Sequence, residues 1–532
     1  MKSVFLGIAV VLLGLLVIGP TNQWVMAQEM AKDQVVVLGL PSGDIATIDP
    51  MGGVVLQDRA LMHHVFGALV RHPIGDCAAG EFQPDLATKW EVSSDKLTWT
   101  FHLRKGVKWH WGYGEFTAED VLYSLNRVKN SPISAFRSTY DNIKEVKAVD
   151  KYTVQITTSK PEPYLLTKVA NYFGGWVVCK KAVEKAGKFD KVLSPVKDEA
   201  VGTGPWKFVE YIPKDRVTMI RNDDYWEGKP IIEKITFRYI PDDTARELSI
   251  LKGEIAGYYG LAESKWLKHM KSKGILVDPM GPTDLKALYF NLKIKPFDDK
   301  RVREAFAYAT SQASIVKMQG EDISGYCTSP VPSGLHGHVD AGWAKYKYDP
   351  EKAKKLLAEA GYPNGLTVKL FMSVAHWYSD KMVIFQNELK EAGINLEMTQ
   401  VDHTVYKSKI TQGLNPFVIW GSKLPLSSNW LRDFYHTDSI IGTPKANSNW
   451  MYYSNPEVDK LIELSETSFD EKARLDALSK AQKIIIQDLP ATPVVETMNP
   501  MVRVPWLDLG YKPKNNFIWN YEMGIKTKIL KH

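Results

Sequence analysis

Trp90-Glu-Val-Ser-Ser-Asp-Lys-Leu-Thr-Trp-Thr-Phe-His-Leu-Arg-Lys-Gly-Val-Lys-Trp-His110, followed by Phe116-Thr-Ala-Glu-Asp-Val121, is the stretch on which the reading of the fold turns. Leu97, Trp99, Phe101 and Leu103 alternate with Thr98, Thr100, His102 and Arg104, the period-two pattern of a half-buried strand. Thr117-Ala-Glu-Asp120 is a capping box that opens a helix with Val121, Leu125 and Val128 on one face. Upstream, Val35–Leu40 is a β-branched run stopped by Pro41-Ser42-Gly43-Asp44. It reads as a buried strand ending in a loop, the place where ligands usually sit in open α/β sheets. Further strands are expected at 153–157, 206–211, 216–220 and 234–240.

Beyond about residue 287 helices and strands alternate. A strand over Ala287–Asn291 is followed by a helix from Asp299, whose apolar residues Val302, Phe306, Ala309, Ala313 and Val316 fall four, three, four and three apart. Asp349-Pro350 and Asn455-Pro456 each place a cap before a first-turn proline. Breaks in character fall near 73–76, near 195–204, at Met280-Gly281-Pro282 and at Leu489-Pro490-Ala-Thr-Pro493. The last two are read either as surface loops or as two passages of the chain between lobes, which together would form a hinge. No repeat or low-complexity segment interrupts the pattern.

Composition sets the class. With 44% hydrophobic and 24% charged residues the chain is an ordinary globular protein, and its length calls for several cores. The net charge of +6 is spread without a block of like charges, so no nucleic-acid partner is expected. Lys2, the apolar run Val4–Gly19, Pro20 and Val25-Met26-Ala27 have the layout of a secretory signal peptide over residues 1–27, too short an apolar run to span a bilayer. An exported protein is therefore expected. Cys77, Cys179 and Cys327 allow either one disulfide with a leftover thiol or three buried structural thiols.

No metal-ligand spacing, nucleophile elbow or phosphate loop is present, and no catalytic residue, metal or cofactor is expected. Gly202-Thr-Gly-Pro205 runs into a strand, not a helix, so it reads as a tight turn. Aromatics are abundant, with 16 Trp and 24 Tyr, and several fall in polar or Gly-rich loops: Trp109-His-Trp111-Gly-Tyr113-Gly, Tyr172-Phe-Gly-Gly-Trp176, Tyr258-Tyr259 and Trp420-Gly421. Such rings either pack under loops or line a cleft for an organic solute.

The Trp90–Val121 segment resembles the hallmark of the family 5 extracellular solute-binding proteins, receptors of the dipeptide, oligopeptide and nickel class for ABC importers. Ile48-Asp49-Pro50, Pro84-Asp85-Leu86-Ala87, Gly202–Lys207, Asn222-Asp-Asp-Tyr-Trp226, Lys252-Gly-Glu254, Asp299–Ala305, Asp349–Asn364 and Tyr453–Asp459 follow in the family's order. The resemblance implies an α/β, two-lobed periplasmic-binding-protein fold with an extra inserted domain, mixed sheets with flanking helices and a hinge. Lobe I would comprise 28–72, 200–282 and 495–532; the insertion 73–199; and lobe II 283–494. It further implies a small-molecule or peptide ligand, an ABC permease and ATPase complex in the inner membrane as partner, a periplasmic location and a monomer. An exported hydrolase or a sensor on the same fold is the alternative from another class.

Peptide-binding members of the family carry an acid shortly after a Trp, where it pairs with the peptide's amino group. Here Trp420 is followed by Gly-Ser-Lys423, and a lysine at that place repels an ammonium and attracts an anion. Arg137 lies where relatives that bind metal chelates place a ligand-facing arginine. Ser42, Asp44, Trp111, Tyr113, Tyr258, Trp450 and Glu496 are the remaining lining residues that the resemblance implies. Asp44 and Glu496 would instead favour a cationic or zwitterionic group.

Overall fold

The computed structural model describes residues 29–53, 56–77, 80–170, 174–424, 426–445, 447–515 and 520–531. The expected signal peptide and Tyr172 lie outside them. Nine strands form the main sheet, whose principal path runs Phe417–Lys423, Leu276–Phe290, Ala491–Arg503, Gly257–Tyr259, Val35–Leu40, Lys234–Tyr239, Arg216–Arg221, Trp206–Ile212, with Ser324–Gly325 added against Ala491–Arg503. Val35–Leu40 is parallel to both of its neighbours, and the other pairings are antiparallel. The fold is mixed α/β.

Two long strands organise everything else. Leu276–Phe290 and Ala491–Arg503 pair along nearly their whole lengths, from Leu276↔Arg503 to Tyr289↔Ala491. Residues 291–490 therefore leave on one strand and return on its neighbour. The register is interrupted between Met280 and Asp284 and again between Lys286 and Ala287, opposite Pro493. Proline has no N–H for the ladder, so a bulge is where a strand accommodates it. The breaks of character at 280–282 and 489–493 thus lie in or beside strands instead of surface loops. Leu489, in a left-handed conformation (φ 51°), ends the helix Glu471–Asp488 immediately before the second crossing strand begins. Arg303 fixes that junction by donating to the carbonyls of Leu489 (2.9 Å), Asp488 (2.9 Å) and Phe297 (2.8 Å).

Three apolar cores fill the described residues: one that runs from the main sheet into the 291–490 excursion, one centred on the segment expected as the insertion, and a smaller one within 288–495. The insertion carries a four-stranded sheet in the order Ala87–Val92, Thr98–Leu103, Thr153–Thr158, Ile143–Asp150. Thr98–Leu103 alternates half-buried and buried residues, as the period-two pattern predicts. Helix Ala118–Asn130 starts where its capping box places it, with Asp120 Oδ2 accepting from Thr117 N at 3.0 Å. Its Arg127 donates to both carboxylate oxygens of Asp49 (2.8 and 2.6 Å) and to the carbonyls of Phe189 and Lys191 (3.0 and 2.9 Å), with both side chains of the pair almost wholly buried (2% and 0% exposed). Gly202 packs against the backbone of Val65, where a Cβ would stand 1.8 Å from Val65 O, so the 202–205 turn admits no side chain there.

Two expectations need correction. The single helix predicted from Asp299 is two helices, Lys300–Tyr308 and Gln312–Gln319, because the Ser311 hydroxyl accepts from Ser314 N and caps a second start. The strand expected at Ala287–Asn291 is only the last part of the longer crossing strand. All three cysteines are buried.

Candidate functional site

The second half of the first crossing strand is apolar and buried: Leu285, Ala287, Leu288, Tyr289 and Phe290. Thr283, Asp284 and Lys286 interrupt that run beside the bulge. Asp284 is in register with Lys423 on one side and Thr497 on the other, so three polar side chains meet where the strands cross. Lys286 Nζ pairs with Asp284 Oδ2 at 2.9 Å. Gly421 leaves room for this carboxylate, since a Cβ there would come within 2.8 Å of Asp284 Oδ1.

Lys423 reaches across the crossing. Its amine donates to Asn499 Oδ1 (2.5 Å) and Tyr259 OH (3.4 Å), while Tyr259 OH donates to Asn499 Oδ1 (3.1 Å) and Asn499 Nδ2 donates to Thr283 Oγ1 (3.2 Å). Burial pulls the Lys423 amine down to about 8, with the Asp284 carboxylate offsetting part of that effect. The Tyr259 phenol is raised by burial and by Asp284, which keeps it a neutral donor. Lys381, on helix His376–Glu391, joins the same electrostatic neighbourhood: burial and then Lys286 lower its amine to about 8, against Asp380 and Asp284. Glu496, on the second crossing strand, accepts from Ser333 N (2.9 Å) and Ser333 Oγ (2.5 Å); burial pushes it up to about 7, and those hydrogen bonds offset part of the rise.

An aromatic wall adjoins the lysines. Trp420 stacks on His403 (5.7 Å, 12°) and Tyr378 (5.6 Å, 27°) and meets Trp450 edge-on (5.2 Å, 64°). Faces of this kind take up the apolar parts of an organic solute, while the amines fix its charged ones.

Trp420 and Trp450 are in contact, Lys423 lies three residues along the same strand from Trp420, and Glu496 is two strands away, on the far side of the first crossing strand. The structure holds the other candidates in separate surroundings. The Asp44 carboxylate accepts from Ile45 N (2.9 Å) and Tyr211 OH (2.8 Å); slight burial raises it, but those hydrogen bonds prevail and hold it below its usual range. Ser42 Oγ in the same loop is buried with no hydrogen-bond partner. Trp111, in a left-handed conformation (φ 60°), lies under Lys197 (4.1 Å) and Tyr113 under Lys185 (5.7 Å); both rings pack on the core of the insertion. Arg137 is exposed at the start of a short 3-10 turn. Tyr258 is 1% exposed, sits in the main core and pairs edge-on with Trp266 (6.3 Å). Strand alternation turns its neighbour Tyr259 toward Lys423 instead, a correction to the sequence reading.

Sequence reasoning missed Asp284, Lys286, Lys381 and Asn499, and named Tyr259 only with Tyr258 among rings that could line a cleft. One signal was available: Tyr378, Met382, Phe385 and Leu389 form an apolar helical stripe, and Lys381 sits on it between Tyr378 and Phe385. A separate cavity of about 310 Å³ shares no lining residue with this group, and its charges are already engaged in His63–Glu522 (2.6 Å) and Arg71–Glu227 (2.7 Å) pairs. Among the described residues no group of three His, Cys, Asp or Glu is placed to hold a metal ion, and no helix is long and apolar enough to cross a membrane.

Charge and aromatic surface of this kind is suited to a solute carrying both apolar and charged groups, and comparison with known proteins gives the class. Residues 81–449 match the model of the bacterial extracellular solute-binding proteins, family 5 (middle), and the chain belongs to that family. It is 30% identical to the dipeptide-binding protein of Escherichia coli K12 over 80% of this chain and 82% of that protein. Among solved structures, MoaA of A. tumefaciens R10, in complex with mannopinic acid, is 34% identical with a TM-score of 0.78, covering 94% of this chain and 100% of the other. The ABC transporter-associated periplasmic binding protein DppA of Helicobacter pylori, in complex with the peptide STSA, is 26% identical with a TM-score of 0.74, covering 93% and 99%. The chain is thus the substrate-binding component of an ABC transporter, and its relatives are periplasmic binding proteins rather than enzymes.

Proposed function

We propose that this receptor is exported to the periplasm behind a cleaved signal peptide over residues 1–27, works as a monomer, performs no chemistry and captures a small organic acid in preference to an unmodified peptide. In this reading 28–72, 200–282 and 495–532 form lobe I, 73–199 the insertion and 283–494 lobe II. The solute binds where the crossing strands join the lobes, and closure about those strands completes its contacts, so that the ligand shifts an open–closed equilibrium by its differential affinity. The closed form then docks on a membrane permease driven by an ATPase.

The observation that carries the acid reading is Lys423, whose amine is fixed by Asn499 and Tyr259 at the strand crossing. A cation anchored there attracts a carboxylate and repels the ammonium of a peptide. MoaA, which binds an acidic solute, supports the same direction. The rival within the family is a peptide or nickel-chelate receptor, and Glu496 is the residue that favours it, being a carboxyl near the same crossing.

The test is mass spectrometry of the exported protein, native and then denatured, to identify what co-purifies, followed by calorimetry with Lys423→Met. An organic acid bound at least tenfold more weakly by the variant is the expected result. A mixture of short peptides, held equally well by the variant, overturns it.

A further inference from the structure

Lys381 has a feature that the capture of a simple monoacid does not use. It is 3% exposed, lies on the apolar stripe of helix His376–Glu391, and among the described residues has no hydrogen-bond or ion-pair partner. The carboxylate nearest in kind, Asp284, is held by Lys286 at 2.9 Å, and Asp380 on the same helix is turned out to solvent. Lys286 and Lys381 thus share Asp284 as their inward carboxylate, and Lys423 is in register with the same residue. A buried cation without a counter-charge is expensive, and a protein keeps one where something absent from the unliganded chain supplies the missing anion. Arg127 and Arg303, also buried, show the contrast: the acceptors for their guanidinium groups come from the chain itself.

We propose that Lys381, together with Lys286, is a second anion seat in the site, and that the captured solute is an organic diacid, one acid group held at Lys423 and the other at Lys381. The stacked Trp420, Tyr378 and His403 rings lie alongside, and Tyr378 is one helical turn from Lys381. The spacer of the solute therefore runs along the aromatic wall, with the acid groups at its ends. Two-point recognition selects against monoacids and against peptides, whose free amine meets lysine at either seat. The lowered proton affinity of the Lys381 amine agrees with an enclosed group awaiting a counter-charge. This proposal rests on the receptor reading above and names the class of its ligand.

The test is thermal shift and calorimetry at pH 7 with the full-length exported protein and three kinds of probe: dicarboxylic acids of graded length, their monoamides, and neutral or zwitterionic dipeptides. A diacid is expected to bind at least tenfold more tightly than its monoamide. In Lys381→Met, which keeps the length and apolar fit of the side chain, that preference should vanish. Lys381→Arg should retain it. A monoamide or dipeptide that binds the native protein as tightly as any diacid, or a diacid preference that survives in Lys381→Met, overturns the second seat while leaving the receptor reading intact. If no probe of any class shifts the melting temperature, the acid reading fails and the seat with it.

Discussion

Arg127 in the insertion and Lys381 in the 291–490 excursion are both cations withdrawn from water on the inner face of a helix. Arg127 is met by both oxygens of Asp49 and by backbone carbonyls, so its fork of donors is engaged and Asp49 has the further support of Leu193 N at 2.8 Å. Lys381 meets a neighbouring lysine and a carboxylate already in use. The same desolvation acts on both. The planar, multidentate guanidinium is spent on tying the insertion to the loop at Asp49, whereas the single mobile ammonium is left with attraction to spare. A buried charge that its own chain satisfies is structural, and one that its chain leaves short points outward to a ligand.

The sharpest way to break that contrast is to make the same replacement at both places. Arg127→Met strands Asp49 as a buried, uncompensated carboxylate and should cost about 3–5 kcal/mol, read as a large drop in melting temperature. A loss below about 1 kcal/mol would show the pair to be ornamental. Glu496→Gln probes a buried acid between these extremes. The native carboxyl is raised to about 7, so the folded state holds its proton more tightly than the unfolded chain does. Its contribution is complete below about pH 4.5, the ordinary glutamate value, and is lost as pH rises through about 7. The change in unfolding free energy between pH 5 and pH 8 should differ between the native protein and Glu496→Gln by on the order of 2 kcal/mol, the native protein losing more stability as pH rises because Asp433 and Asp58, also raised by burial, titrate alike in both.

Lys381→Met should leave the unliganded protein unchanged or more stable by about 1–2 kcal/mol, the opposite sign to Arg127→Met, and denaturant titration of the two variants side by side decides it. The lysines also set a pH limit on binding. Their amines are lowered to about 8 in the free protein, and a bound anion raises them again. Affinity for an acid should therefore hold below pH 8 and fall by roughly tenfold per pH unit for each titrating lysine above it, while affinity for a neutral probe stays flat. The smallest expected effect is that of Tyr259→Phe, which removes the 3.1 Å bond to Asn499 and should weaken acid binding by about fivefold with little change in stability.

Much of the insertion was legible in residues 90–121, because alternation at Thr98–Leu103 and the Thr117 cap are local signals that tertiary contacts do not override. The break at 309–311 was not, since the apolar spacing runs through it and only the Ser311 cap reveals a second helix. Lys423 could be found beside Trp420 by its departure from the acid of peptide receptors. Its partners could not, because Tyr259, Asp284 and Asn499 come from three other strands and meet only through the register of the crossing. The Tyr258 and Tyr259 pair shows the same limit at its smallest scale: one step along a strand exchanges core for site.

The order in which the main sheet is stitched together bears on how the protein comes to exist. Val35–Leu40 pairs with Lys234–Tyr239, Met30 bridges to Leu530, and Gln34 Oε1 accepts from Ile529 N at 2.8 Å. This β-branched strand thus waits for partners near the middle of the chain, and Met30 and Gln34 just before it wait for Ile529 and Leu530. Such long-range closure slows folding and leaves an apolar edge open to foreign strands in the meantime.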